Sequence, residues 1–395
     1  MTNNFRFFTL CLISLLLAPV NSSYAKSPAA NPILVRVAVV RDADSAKIFI
    51  AGNFKIIDYI SKAVLLEEKY FPEAALTVTD TGFRLADKDI SANVVSIEPA
   101  GGARVYINDR IFRGEIRAFK NDKKLVVVNA VNLEDYLYGV IRNEVSTWWP
   151  MEALKAQAIA ARTYALNQIN ESKNKDYDVV ADVNSQVYGG IFSEKWRTNR
   201  AVDQTKGQVL TYNGAIFPTF FHATCGGSTF DAACLWNIDL PPLKGVKCPW
   251  CRKSPHFYWE RWASAKEVEG KLEAAGYSTG DIIGFEATKR DSFSGRILEL
   301  KIKGSKADAD IPAKDFRRMM GSDIIRSTNF KPALVGEYVV FEGLGWGHGV
   351  GLCQWGAYYM SRAGKNAEEI LHFYYPGSKL KDYKEITNNQ APMTK

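Results

Sequence analysis

Glu144 draws attention because of the residues that precede it. Over Asn132–Glu144 the apolar residues Leu133, Leu137, Val140 and Ile141 recur at helical spacing, and Glu144 takes the next position on that stripe. Asn132 is a good helix N-cap, and Asp135 three residues on is a short version of a capping-box partner. A carboxylate on an apolar face costs free energy unless it is paired, so burial there raises its pKa and holds the proton near neutral pH. A protonated carboxyl in a dry site is what a general acid requires. On spacing alone the default is plainer: a frayed helix end where Glu144 turns to solvent or meets Arg142 or Arg162.

A second group is built from cysteine and histidine. Apart from Cys11, the cysteines are Cys225, Cys234, Cys248, Cys251 and Cys353, and His222 and His256 flank the first four. Cys248-Pro-Trp-Cys251, with another Cys upstream and a His nearby, suits tetrahedral zinc. The expected ligands are Cys225, Cys248, Cys251 and His256, with His222 or Cys234 as substitutes for the last. Two disulfides are the competing reading in an oxidising compartment. A redox Cys-x2-Cys would follow a strand–helix pattern that is missing here. There are enough soft ligands to close the shell, so the expected metal is structural.

The third group is Gly343-Leu344-Gly345-Trp346-Gly347-His348-Gly349-Val350-Gly351, with glycine at every second position. It follows the strand pattern Glu337–Phe341 and leads into a helix near Cys353. Glycines permit tight turns and close approach of backbone to a ligand. A nucleotide loop would need a βαβ unit and a later acidic residue, which are missing. His348 is a candidate site residue; the alternative is a tightly folded loop around a hydrogen-bonded histidine.

These groups need elements to hold them. Short strand patterns fill 33–98, and a run of hairpins follows over 104–129, with Asn108-Asp109 and Asn121-Asp122 as turn signals. Two helices are predicted, Leu133 to about Val145 and Met151 to about Ile169. Pro150 starts the second, which is rich in alanine and so open to close approach by another backbone. Strands return over 208–219, then a helix over 265–275 and strands over 282–288 and 296–302. The fold class is α+β: a β-rich mixed domain with a helical pair carrying Glu144, plus a small N-terminal β region. The predicted divisions are 1–25, 26–103, 104–385 with a Cys/His-rich insertion at about 222–262, and a 386–395 tail.

Composition bounds the partners. A chain of 395 residues, 47% hydrophobic and 12% aromatic, is not generally disordered. The net charge of +7 is interleaved with acids and has no Lys/Arg block, so no nucleic acid is expected. Arg6, the apolar run Phe7–Val20 and the small-residue pattern ending at Ala25 read as an export signal, with the mature chain starting near Lys26. That places the protein in the periplasm or extracellular wall, without a stable membrane anchor.

The chain resembles the SpoIID/LytB family of peptidoglycan-acting proteins over roughly Arg104 to Leu380. Three blocks carry the resemblance: Asn132–Glu144 with Trp149-Pro150, Glu152–Ala158 and Ala161–Ala165; Ser185-Gln186-Val187-Tyr188-Gly189-Gly190 with Cys225–Thr229; and Gly345–Ala357. The resemblance implies a lytic transglycosylase that cleaves glycan strands lacking stem peptides after N-acetylmuramic acid. Glu144 aligns with the family's catalytic glutamate. Arg162, Tyr164, Tyr188, His348 and Gln354 are expected to line the sugar groove. Some members have Cys where Ser185 stands and use it to bind zinc; Ser185 cannot serve in that way. The implied partners are peptidoglycan glycan strands and a wall amidase or other wall-remodelling protein. LytB-type relatives suggest the alternative of a glycan-binding amidase enhancer without catalysis of its own.

Overall fold

The computed structural model describes residues 32–173 and 175–389; the expected export signal and the last residues of the expected tail lie outside them. The fold is α+β. In β1 (Leu34–Ala43) Val35 and Val37 are fully buried, as an alternating strand on a core requires. There follow β2 (Ser45–Asp58), β3 (Val64–Val78), β4 (Phe83–Leu85), β5 (Lys88–Ile90), β6 (Val94–Pro99), β7 (Arg104–Ile107), β8 (Arg110–Phe112), β9 (Glu115–Asn121) and β10 (Lys124–Asn132). Asn108 and Asp109 both adopt positive φ (45° and 64°) between β7 and β8, the conformation that a two-residue type I′ hairpin needs.

With β11 (Val179–Val180), these strands form one sheet of eleven among the described residues, ordered β11-β1-β10-β9-β6-β2-β3-β4-β5, with β7 on β2 and β8 on β7. The boundary expected at residue 103 runs through this sheet, because β7 pairs with β2 and β10 pairs with β1. The N-terminal strands and the segment carrying Glu144 therefore share one core.

Helix α1 (Leu133–Glu144) starts as the sequence predicts: the Asn132 side chain accepts from Glu134 N at 3.0 Å. Leu133, Leu137, Val140 and Ile141 are buried in the sheet core. Helix α2 (Met151–Glu171) is buried around almost its whole circumference. Ala153, Leu154, Ala158 and Ala161 face the sheet core, while Ala156, Ile159 and Ala160 face a second core. Helix α3 (Trp196–Gln204) packs beside both helices.

The second core gathers β12 (Gln208–Tyr212), which pairs with β13 (Ala215–Ile216), together with β14 (Phe221–His222), α4 (Ala232–Trp236) and the four buried cysteines. The third is built by β15 (Tyr258–Ser264), α5 (Ala265–Ala274), β16 (Ile282–Arg290), β17 (Ile297–Gly304), β18 (Ala309–Pro312), α6 (Ala313–Met320), β19 (Phe330–Val335) and β20 (Tyr338–Leu344). The chain then returns to the second core through β21 (Leu352–Cys353), α7 (Gln354–Arg362), α8 (Ala367–Tyr374) and β22 (Lys379–Asp382). Helix α9 (Tyr383–Asn389) runs on into the segment expected to be a tail.

Arg162 corrects one expectation. It does not line a groove: it is fully buried, with Nε and Nη2 donating to the two Glu134 oxygens at 2.9 and 2.7 Å and Nη2 also reaching Val202 O. Glu134 lies in the first turn of α1, so this pair fixes α1 against α2 and α3. Removing one partner strands the other charge, so Arg162→Ala is expected to cost ~3–5 kcal/mol in chemical denaturation.

Candidate active site

Glu144 closes α1, where the helix dipole disfavours negative charge. Its Oε1 accepts Val187 N at 2.9 Å, and the Gln354 side chain lies near enough to act on its carboxyl as a second, weaker donor. Gln354 is buried, and its Nε2 meets Gln157 Oε1 of α2 at 3.4 Å. Glu144 is half-buried, and no cation stands among the groups acting on it. Burial raises its pKa to about 7, against the pull of the two donors. A carboxyl so held is divided between acid and base near neutrality, and this suits a group that gives a proton and then takes one back.

The segment 181–188 links Glu144 to a pocket. Tyr188 N bonds back to Ala181 O at 3.3 Å, Tyr136 Oη donates to Gln186 Oε1 at 2.9 Å, and Val187 holds Glu144. Tyr164, Val183, Asn184, Ser185, Phe220, Phe221, Trp236 and His348 enclose about 130 Å³. Burial raises the Tyr164 phenol, and the Glu144 charge adds to the effect. A larger pocket of about 420 Å³ lies at β19 and β20 and contains none of the expected site residues.

Tyr164, His348 and Gln354 are thus brought to this region, but two of the expected residues have structural partners. Tyr188 is buried, gives its hydroxyl to Asn129 Oδ1 at 2.8 Å, and wedges against α1 where a Cβ on Gly139 would come within 2.4 Å of its ring. His348 has both nitrogens engaged by backbone: Nε2 meets Phe221 O at 2.8 Å and Nδ1 accepts Val350 N at 3.1 Å. Burial lowers its pKa to about 3, so the ring is neutral and shapes the pocket wall. Around it Gly347 and Gly349 hold φ of 108° and 89°, and a Cβ on Gly349 would meet the Arg296 guanidinium at 2.5 Å.

Sequence reasoning missed an aromatic shelf close after Glu144. Trp148 and Trp196 are 77% and 64% exposed, and Arg197 lies over both rings at 5.8 and 5.6 Å. Thr147 O and Trp149 O anchor that guanidinium at 3.0 and 3.1 Å. No sequence pattern marks these tryptophans, because their exposure is a property of the fold.

The cysteine centre takes a different fourth member from the one expected. The sulfurs of Cys225, Cys248, Cys251 and Cys353 lie within 4.8 Å of one another, and all four residues are buried. His256 stands outside this set, its ring packed edge-on against Trp346 and Trp355 at 4.7 and 6.1 Å. His222 Nδ1 meets Val350 O, and Cys234 is exposed. Cys353 arrives because β14 and β21 pair in parallel, setting His222 opposite Cys353. Such long-range pairing leaves no trace in local spacing.

The donor set fits a metal ion. A tetrahedral ion with metal–sulfur bonds near 2.3 Å puts its sulfurs about 3.8 Å apart, within the observed spread. Cys225 N and Gly356 N point at Cys353 Sγ at 3.2 and 3.4 Å. None of the five described cysteines is in a disulfide. Arg296 adds an electrostatic argument. It is fully buried, forms no ion pair among the described residues, and donates to Cys225 O at 3.1 Å, while burial lowers its pKa to about 10. A dication held by four thiolates carries net negative charge that would compensate this guanidinium; two disulfides would carry none.

Comparison with known proteins bears on the family. A family profile described as stage II sporulation protein (SpoIID) matches residues 121–212, and a profile for a domain of unknown function matches 251–351. An uncharacterized protein of Brachyspira hyodysenteriae is 32% identical over 94% of this chain and 98% of its own length. Stage II sporulation protein D of Bacillus amyloliquefaciens is 32% identical over 63% of this chain and 74% of its own. The amidase enhancer of Bacillus subtilis is 29% identical over 62% of this chain, which spans 40% of that protein. The chain belongs to the SpoIID family.

The Glu144 environment has a consequence for stability. Its folded pKa of about 7 exceeds the ordinary glutamate value of 4.5, so the native state binds more protons between these values and stability falls as pH rises through that window. Glu144→Gln removes this cost. It is expected to be more stable than wild type at pH 8, by on the order of 2 kcal/mol once partial exposure is discounted, with the difference vanishing toward pH 4 in parallel denaturation curves.

Proposed function

We propose that this chain is an exported lytic transglycosylase of peptidoglycan, with Glu144 as its general acid and base. The observation that carries this reading is one carboxyl, raised to about 7 and held by Val187 N and Gln354 beside a pocket. In the reaction Glu144 gives its proton to the glycosidic oxygen as the bond to C1 of N-acetylmuramic acid breaks. The C6 hydroxyl of that sugar then attacks C1, and its proton returns to Glu144. The product ends in a 1,6-anhydro ring, and the carboxyl is restored. No water is activated from the opposite face, so the second carboxylate of most glycosidases is not needed. Trp148 and Trp196 offer faces on which sugar rings can stack. No described helix is long and apolar enough to cross a membrane.

The similarity to an amidase enhancer supports a second reading, a glycan-binding activator of a wall amidase. A binder has no use for a carboxyl held near neutrality, so the first reading accounts for more of the site. Glu144→Gln is expected to lose ~10²–10⁴-fold of glycan cleavage while still binding glycan. The wild-type rate should fall as pH rises through about 7, where Glu144 loses its proton. Mass spectrometry of released fragments reads both: full turnover by the variant removes the assignment, and products without the anhydro bridge make the enzyme a hydrolase.

The metal held by the four cysteines is proposed to be zinc, which would supply a structural cross-link. Cys353→Ser is expected to lose most of one bound equivalent and several degrees of thermal stability, whereas His256→Ala keeps its zinc. Metal analysis and thiol counting decide the matter, since finding two disulfides and no zinc would restore the competing pairing.

A further inference from the structure

The loop that leads to Val187 walls a second concavity. Ala38, Val39 and Arg41 of β1, Arg110 of β8, and Ala181 and Asp182 enclose about 310 Å³. Two guanidiniums and one carboxylate face this space, and the carboxylate is already engaged: Arg41 Nη2 donates to Asp182 Oδ2 at 3.0 Å. Arg110 is different. It is half-buried, lies 5.4 Å from the Phe112 ring centroid, donates Nη2 to Val39 O at 3.0 Å, and forms no ion pair among the described residues. Burial lowers its pKa, so the protein removes water from this cation without returning an opposite charge. An anion entering the pocket would supply that charge.

We propose that the Arg41–Arg110 pocket is a carboxylate subsite, taking the lactyl carboxylate of an N-acetylmuramic acid residue that carries no peptide. The inference rests on the glycan reading of Glu144. The occupant is argued from continuity. Residues 181–185 wall this pocket on one side and the Tyr164–His348 pocket on the other, and the Tyr188–Ala181 bond closes the same turn that sets Val187 on Glu144. A strand threading past Glu144 carries a muramic acid at every second sugar. The planar guanidinium fork matches a carboxylate, which gains two parallel charge-assisted bonds. When a stem peptide is attached, the lactyl group is an amide and carries no charge. The pocket would therefore distinguish peptide-free from peptide-bearing strands by the charge itself.

The test is a binding comparison in the Glu144→Gln protein, which separates it from catalysis. Calorimetry would titrate a peptide-free tetrasaccharide of alternating N-acetylglucosamine and N-acetylmuramic acid against chitotetraose, which has no carboxylate. The muramic glycan is expected to bind more tightly. Adding Arg110→Gln should weaken it about tenfold or more, with chitotetraose unchanged within about twofold, and Arg110→Lys should fall between. Arg41→Gln provides the same comparison should Arg110→Gln fail to fold. Equal affinity of the two glycans for the Glu144→Gln protein, equal loss for both, or no loss for the muramic glycan would each overturn the subsite. A wild-type protein that cleaves neither glycan would remove the catalytic reading alone, since the binding difference is measured without turnover.

Discussion

The twenty-one residues of α2 are packed on nearly every side, and the rest of the molecule is arranged around that constraint. Its alanines let the large sheet core approach one side and the cysteine core the other. The polar side chains in its buried middle have no water to turn to and depend on partners inside the protein. Arg162 finds Glu134, Thr163 finds Ile159 O and the amide of Leu210, and Gln157 finds Gln354. These obligatory contacts position α1 from behind and α7 from the side. Glu144 ends the first of those helices and Gln354 begins the second.

The carboxyl is therefore held by a rigid frame while its charge remains poorly supported. Two hydrogen-bond donors and no cation leave burial as the dominant influence on its proton. A nearby arginine would stabilise the carboxylate and lower its pKa. Arg162, one of the two arginines that the sequence offers as such a partner, is committed to Glu134. Fixing the helix and keeping the Glu144 carboxyl unpaired thus follow from one salt bridge.

What was legible in the sequence was local. The stripe from Leu133 to Ile141, the Asn132 cap and the Asn108-Asp109 turn depend on neighbours within a few residues, and each takes the form its spacing implies. Glu144 was legible for the same reason, as the continuation of a periodic face. Cys353 was not, because a parallel pairing of two short strands brings it to the other cysteines from the far side of the third core. Tyr188 and His348 illustrate another limit. Residue type marks them as able to bind sugar or move protons, but only the folded backbone reveals that Asn129, Phe221 and Val350 already hold them. Arg110 and Trp148 were passed over because a lone arginine or tryptophan carries no pattern; their meaning lies in what the fold leaves unpaired or uncovered.

The meeting of Cys225 with Cys353 spans 128 positions of chain. Everything between them, including the third core, is a closed loop tied at the cysteine centre. Closing a loop of that length costs configurational entropy that grows only slowly with its size, but the cost falls in one step, when the last sulfur arrives. A polypeptide that emerges amino end first presents its large sheet early and must wait for Cys353 before the cysteine centre of the second core can form. Folding of this half therefore depends on the arrival of Cys353: a product cut short before it would lack the knot that holds its interior, however much of its length it retained.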